Sequence, residues 1–447
     1  MTMDTPFFRP SHIQIPALKS YNGELRVPGS KSITNRVLLV SALAEGTTRL
    51  HNLLKSDDTR YMGEALKALG VKAEMTDDFT EAVIEGNGAP IDAPSVLVEN
   101  DNYVAGLYLG NAGTAMRSLC AALALGRGVF HLSGEERMKE RPIRDLVDAL
   151  RTLGADIDYM ETDGFPPVCI NAHGLKGGTV SVRGNISSQY LTALLVCAPY
   201  CKAPLQIHVD GELISEPYIK LMLAVMKRFG VNVSWPASQP YRFDVPHGVF
   251  KTPGDFFVEG DASSASYPLA AAAMTGGKVK VVGVGKCSTQ GDAQFAKVLE
   301  RMGAKITWGD EFIECEGPKG KLKSLGEFNA IEIPDAAMTV AVLALFADAP
   351  MTITGIASWR VKETDRIAAM AAELRKVGAT VRESMDSITV TPPEVLQPAT
   401  IETYNDHRMA MCFSLVALGG VPVKILDPAC VNKTYPNFFE DFNKLAR

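Results

Sequence analysis

The apolar and polar positions of this chain repeat one long phrase six times. A short polar signature leads an apolar run of helical length, a small-residue or glycine break follows, and a β-like stretch comes next. The signatures are Ser30-Lys31-Ser32, Asn111-Ala112-Gly113-Thr114, Ser187-Ser188-Gln189, Ser263-Ser264-Ala265, Asp335-Ala336-Ala337 and Asp406-His407-Arg408. The apolar runs behind them are 37–44, 119–125, 191–197, 269–274, 340–346 and 409–418, and the β-like stretches are 48–52, 129–133, 204–209, 278–282, 351–354 and 421–426. A second mark, glycine after an apolar residue, closes a further helix at Gly70, Gly154, Gly230, Gly303 and Gly378. Openings recur roughly every 70 to 80 residues, a period longer than that of solenoid repeats.

One copy parses in full. Residues 24–27 read as a strand, and Ser30-Lys31-Ser32 opens a helix that Gly46 stops. Strand 48–52 follows, then a second helix capped by Asp57-Asp58-Thr59 and ending at Leu69-Gly70, then paired strands 71–75 and 81–85. The order is β-α-β-α-β-β, and the second copy repeats it with paired strands at 155–159 and 167–171. Such alternation predicts an α/β protein with crossover connections and helix-covered sheets. Six copies divide into two sets of three, with the divide in the Pro/Gly-punctuated stretch from 247 to 260. The N-terminal strand near 13–18 is expected to pair with the C-terminal half. Two halves joined by few crossings predict a hinge and a cleft. The opening helices are apolar nearly all round, as in 191–196, so they are expected to be buried on every side. Their N-termini would then bring positive partial charge into a shared space.

Composition narrows the classes. A length of 447 residues suits two or three domains. The formal net charge of −6 excludes a general nucleic-acid binder. Eight cysteines are scattered with no metal-type spacing, and most lie in apolar runs, which predicts that most are buried free thiols in a reducing compartment. No apolar stretch has membrane-spanning length, and the first twenty residues lack a secretory or transit pattern. A cytoplasmic protein without a membrane partner is expected.

Cations crowd the helix starts of this acidic chain. Lys31 and Arg36 follow Gly29, Arg117 follows Gly113, and Arg137, Lys139 and Arg141 share one short segment. Arg360, Lys362 and Arg366 alternate with Glu363 and Asp365, and Arg408 and Lys433 come later. Any one of these alone would read as a solvated surface charge. Recurrence at equivalent points of a repeat points instead to small anionic ligands, more than one. Gly29-Ser30-Lys31-Ser32 lacks the spacing and upstream glycine of a phosphate-binding P-loop. Asp335 suits a helix N-cap as well as a general base, Glu363 suits an ion pair as well as an acid, and His407 suits a buried hydrogen bond as well as a proton shuttle. No spacing suggests a metal, and no Gly-x-Ser-x-Gly occurs.

The strings Leu109-Gly110-Asn111-Ala112-Gly113-Thr114-Ala115-Met116-Arg117, Arg137-Met138-Lys139-Glu140-Arg141-Pro142 and Arg360-Val361-Lys362-Glu363-Thr364-Asp365-Arg366 resemble the 5-enolpyruvylshikimate-3-phosphate synthase family. So do segments 28–32, 187–189 and 406–411, and the resemblance runs from Val27 to Lys433. It implies a two-domain inside-out α/β barrel, three repeats per domain, with a cleft between 29–258 on the shikimate-phosphate side and a discontinuous domain of 1–28 and 259–447. It implies transfer of the carboxyvinyl group of phosphoenolpyruvate to the 5-hydroxyl of shikimate 3-phosphate, with phosphate released and no cofactor or metal, by a monomer. By the same resemblance Lys31, Arg141, Arg366, Arg408 and Lys433 hold phosphoenolpyruvate, with Gly113 and Gln189 nearby. Ser32, Arg36, Ser187, Ser188, Ser215, Tyr218 and Lys362 hold shikimate 3-phosphate, and Asp335, Glu363 and Lys31 handle protons.

Two positions depart from the family's commoner pattern: Ser118 stands where a proline is usual and Ser358 where an asparagine is usual. The first is expected to re-aim the helix at Gly113 and alter tolerance of the herbicide glyphosate, the second to alter one shikimate contact. The related transferase acting on UDP-N-acetylglucosamine carries a reactive cysteine in an early loop, and 134–142 here has none.

Overall fold

The computed structural model describes residues 10–94, 98–99 and 102–447; residues 1–9 of the expected domain 1–28 lie outside them. The chain separates into two compact units. The early unit holds Pro28–Asp261 and Ser288–Gly291; the late unit holds the residues up to Val27, Ala262–Cys287 and Asp292–Arg447.

The six signatures open six helices, called α1 to α6 here: Lys31–Leu43, Gly113–Leu123, Ser188–Cys197, Ala262–Thr275, Ala337–Leu343 and His407–Ser414. Their apolar runs are buried almost residue by residue, because an all-round apolar helix has no face to offer water. The first three sit in the core of the early unit and the last three in that of the late unit. The closing glycines share one geometry. Gly70, Gly154, Gly230, Gly303 and Gly378 all have φ between +81° and +102°. After each, the next amide donates to the carbonyl five residues back, for example Val71 to Leu66 and Ala379 to Leu374. That is a Schellman stop, and a side chain in the left-handed region would strain it.

The repeat also appears in the sheets. Within four of them the strands stand in the order first, second, fourth, third of a repeat, as in Asn102–Tyr108, Arg127–Ser133, Val168–His173 and Asp156–Tyr159. The first two strands pair in parallel across the opening helix, and the rest run antiparallel. Three details differ from six identical copies. Strand Gly23–Arg26 precedes α1 in sequence yet pairs in parallel with Lys278–Val282 of the late unit. Asp255–Phe257, which precedes α4, pairs in parallel with Glu45–His51 of the early unit. The first and fourth repeats therefore exchange their leading strands. The third repeat keeps one closing strand, Arg242–Val245, with a lone bridge from Ser234 to Asp244. The sixth ends in helix Phe438–Leu445, and His12–Ile15 supplies the antiparallel neighbour of Val423–Leu426.

The second helix of the first repeat is capped one residue earlier than expected. The Ser56 hydroxyl accepts from the Thr59 amide, and the Thr59 hydroxyl accepts from the Ser56 amide; Asp57 and Asp58 occupy the first turn. The short excursion Ser288–Gly291 belongs to the early unit through Glu259. That carboxylate accepts from the Ser288 hydroxyl at 2.7 Å, the Thr289 hydroxyl at 2.8 Å and the Gln290 side-chain Nε2 at 3.1 Å.

Candidate active site

The early unit gathers cations at helix starts. Lys31 is the first residue of α1; its amide donates to Asp261 at 3.3 Å and its ammonium lies 3.6 Å from the buried Asp58 carboxylate. One turn on, buried Arg36 donates to the Ser32 carbonyl at 2.8 Å and lies over the Tyr218 ring at 5.9 Å. Burial lowers the Arg36 pKa to about 10, Tyr218 opposing, so the group stays cationic at neutral pH. Tyr218 belongs to the helix Glu216–Arg228, which starts after Ser215, a buried residue held left-handed at φ +55°. Left-handed non-glycine residues of this kind concentrate at functional sites. At α3, Ser187 is the N-cap and accepts from the Gln189 amide at 3.2 Å, and Ser188 is buried beside it.

Arg141 lies against the start of α2. It donates to the Asn111 carbonyl at 3.0 Å and to the Asn111 side-chain oxygen at 2.8 Å. A Cβ at Gly113 would fall 2.4 Å from this guanidinium, so only glycine leaves room for it. Arg141 and Pro142 are themselves held in place. Arg117 donates to their carbonyls at 3.0 and 2.7 Å, and the Tyr190 hydroxyl donates to Pro142 at 2.7 Å. Of the three cations in this segment only Arg141 is buried. Arg137 turns to Glu140, and Lys139 to Glu136 and Glu161, as the bland surface reading would have it.

The late unit interleaves cations with carboxylates. Arg366, 1% exposed, is the hub. Its Nε donates to Asp406 at 2.7 Å, one terminal nitrogen to Asp335 at 3.0 Å and the other to Glu363 at 2.8 Å. Arg408 holds the second Asp335 oxygen at 3.1 Å and reaches the Tyr267 hydroxyl at 3.3 Å. Lys362 stands 3.8 Å from Asp335 and Lys433 3.9 Å from Glu363. Burial works against the charge on Arg366, but Asp406, Glu363 and Asp335 outweigh it and hold its pKa above the ordinary value. Asp406 also caps α6, accepting from the Arg408 amide at 2.9 Å.

This geometry bears on the alternatives left open by sequence. Asp335 is not the N-cap of α5: that position is Ala336, without a side-chain cap, and the Asp335 oxygens face arginines. Glu363 is an ion-pair partner, of Arg366 and Lys433 together. His407 is fully buried beside Asp406, with Nδ1 3.4 Å from the carboxylate. Among the three carboxylates Asp335 is the most exposed at 14%, against 8% for Glu363 and 0% for Asp406, so it is best placed to meet a ligand.

Several contributors were not assigned from sequence. Asp406 and Asn111 stood inside the polar signatures, and Asp58 was read only as part of a cap. Their pairing with Arg366, Arg141 and Lys31 depends on contacts across 40, 30 and 27 residues, where local pattern carries no signal. Ser118 donates to the Thr114 carbonyl at 2.5 Å, one turn back in α2, a position at which proline would remove a backbone donor. The eight cysteines are free and most are buried, as expected; Cys169 is half-buried and Cys287 exposed. Among the described residues no group of three or more His, Cys, Asp or Glu could hold a metal ion, and no helix is long and apolar enough to cross a membrane.

Comparison with known proteins shows what the chain resembles. The sequence profile of EPSP synthase (3-phosphoshikimate 1-carboxyvinyltransferase) matches residues 15–442. A protein of Sulfurovum sp. (strain NBC37-1) named 3-phosphoshikimate 1-carboxyvinyltransferase is 54% identical over 441 residues, spanning 97% of this chain and 99% of its own. One of the same name from Serratia proteamaculans (strain 568) is 55% identical over 426 residues, 95% and 96% of the two chains. Among solved structures, an EPSP synthase from Acinetobacter baumannii superposes with a TM-score of 0.79 at 26% identity, covering 97% of this chain and 98% of its own. The enolpyruvyl transferase NikO from Streptomyces tendae shares the fold, with a TM-score of 0.76 at 19% identity over 98% of both chains.

Proposed function

This chain belongs to the EPSP synthase family, and on that premise we propose that it transfers the enolpyruvyl group of phosphoenolpyruvate to the 5-hydroxyl of shikimate 3-phosphate, releasing phosphate, in aromatic amino acid biosynthesis. The observation that carries the reading is the Asp335 carboxylate held between Arg366 and Arg408, with Glu363 on the other fork of Arg366.

Two polyanionic substrates repel one another, so a site for both must supply cations already fixed in place. Lys31, Arg141, Arg366, Arg408 and Lys433 serve the phosphoenolpyruvate carboxylate and phosphate, with Gly113 and Gln189 beside them. Ser32, Arg36, Ser187, Ser188, Ser215, Tyr218 and Lys362 serve shikimate 3-phosphate. Asp335 takes the proton of the 5-hydroxyl as oxygen attacks the enol carbon. Glu363 or Lys31 delivers a proton to the methylene carbon. The tetrahedral intermediate then loses phosphate and a methyl proton, restoring the vinyl group. Each assisted proton transfer contributes on the order of 100- to 10,000-fold.

The finer architecture belongs to the same proposal: two inside-out α/β barrels of three repeats each, 29–258 and 1–28 with 259–447, that close on their substrates. The strand order shared by four sheets supports it, and small-angle scattering that shows no compaction with shikimate 3-phosphate would count against it. A monomer in the cytoplasm completes the reading; eight free thiols suit a reducing compartment, and light scattering tests the monomer. The deciding assay is phosphate release from phosphoenolpyruvate, run separately with shikimate 3-phosphate and with UDP-N-acetylglucosamine. Turnover with the first alone is expected, and turnover with only the second would replace this reading by its rival.

A further inference from the structure

Trp359 is fully buried in the late unit, and its indole Nε1–H donates to the carbonyl of Pro334 at 2.8 Å. Pro334 is the residue before Asp335. Trp359 itself lies on the turn Ala357–Val361, which leads into Lys362, Glu363 and Arg366. One hydrogen bond therefore ties the backbone that carries Asp335 to the segment that carries its charged partners.

Both sides of this tie are stiffened. Pro334 has a fixed φ, and next to it the Ile333 amide and carbonyl are bonded to Ala330 and Ala337. On the other side Arg360 grips Asp365 through both carboxylate oxygens, at 3.0 and 2.8 Å, and the Ser384 carbonyl at 2.5 Å. The side-chain contacts of Asp335 come from long arginine and lysine stems, and they restrain its oxygens without bonding the backbone that carries it. A backbone pin at the preceding residue fixes what those stems cannot. A buried indole adds a donor that must find an acceptor, and here the acceptor is the carbonyl adjoining the carboxylate.

We propose that Trp359 is a positioning residue for Asp335: through the Pro334 carbonyl it sets where the carboxylate stands relative to the hydroxyl it deprotonates. This rests on the function proposed above. Misplacement of a reacting group by about 1 Å costs on the order of 100-fold in rate, so a measurable loss follows from removing the N–H alone. The test replaces Trp359 by its sulfur isostere, 3-benzothienylalanine, which keeps the bicyclic shape and has no N–H. Trp359→Phe is the second, less conservative variant. Wild-type turnover of phosphoenolpyruvate and shikimate 3-phosphate, measured alongside, reports on the function separately from the positioning role.

With the isostere, kcat is expected to fall about 10- to 100-fold while KM for both substrates stays within about threefold and thermal unfolding stays cooperative. Trp359→Phe is expected to lower kcat at least as far. An isostere with wild-type kcat would overturn the proposal, even if Trp359→Phe were damaged, because packing alone would then explain the residue. A loss confined to KM, or one matching a loss of folded protein, would overturn it as well.

Discussion

The early and late units treat their cations differently. In the early unit Arg36 and Arg141 donate to neutral acceptors, the Ser32 and Asn111 carbonyls and the Asn111 amide oxygen. In the late unit Arg366 and Arg408 are bound to Asp335, Glu363 and Asp406. Neutral acceptors orient a guanidinium without cancelling its charge, which remains available to an incoming anion. Carboxylates cancel much of it, and the product is a fixed array of proton-accepting groups beside cations. The difference separates arginines whose charge is left open from arginines whose charge is shared with carboxylates.

The sharpest way to break that division is Asp335→Asn. Loss of the proposed base while the hydrogen-bonding shape is kept should lower kcat by about 1,000-fold or more, with substrate dissociation constants nearly unchanged. Steady-state kinetics with calorimetric binding would show it, and a variant that turns over normally but binds poorly would reverse the assignment. Arg366→Met probes the other side of the cluster. Removing a fully buried hub leaves three carboxylates facing one another, so stability should fall by about 3–5 kcal/mol in chemical denaturation.

Arg141→Met should act on capture instead. KM for phosphoenolpyruvate is expected to rise about 10- to 100-fold while kcat falls less, because the group meets the ligand before and during reaction alike. A loss in kcat alone would move Arg141 to the chemical side of the comparison.

The smallest effect lies outside both clusters. His51 in the early unit is held between Asp255 at 2.9 Å and Glu81 at 3.4 Å, and the hydrogen bond to Asp255 raises its pKa despite some desolvation. A raised histidine contributes stability that is present in full below its unfolded value of about 6.5 and is lost as pH rises through the higher folded value. His51→Ala should therefore remove a pH-dependent contribution to stability of at most about 1 kcal/mol, since the group is partly solvated. Denaturation midpoints compared at pH 5 and pH 9 would check it, and an unchanged pH dependence would mean the contacts contribute nothing measurable.

What the sequence revealed followed the range of the signal. The helix openings were legible from a polar signature followed directly by an apolar run, with Ser187 and Asp406 acting as caps within one turn, and the glycine stops because a left-handed glycine acts as locally; all five stops have that backbone. The exchanged leading strands were not legible. Gly23–Arg26 and Asp255–Phe257 are four and three residues long, and nothing in so short a strand encodes which second strand it joins. The charged segments were legible as segments only. Whether Arg137, Lys139 or Arg141 turned inward depended on the 3-10 turn Glu136–Glu140 and on Arg117 holding the carbonyls after it. Asp406 was visible as a helix-opening residue, whereas its second task of fixing Arg366 arose from packing between segments 40 residues apart.

In the proposed mechanism the cluster of Asp335, Glu363 and Arg366 passes protons to and from the substrate's oxygen and carbon. The most direct measurement is the reaction of phosphoenolpyruvate with shikimate 3-phosphate in D2O, with the product's vinyl methylene read by NMR or mass spectrometry. Protonation to a transient methyl group followed by loss of one hydrogen predicts deuterium at that methylene, formed by the wild type and at least about 1,000-fold more slowly by Asp335→Asn. A product free of deuterium, or one labelled as fast by the variant as by the wild type, would contradict it.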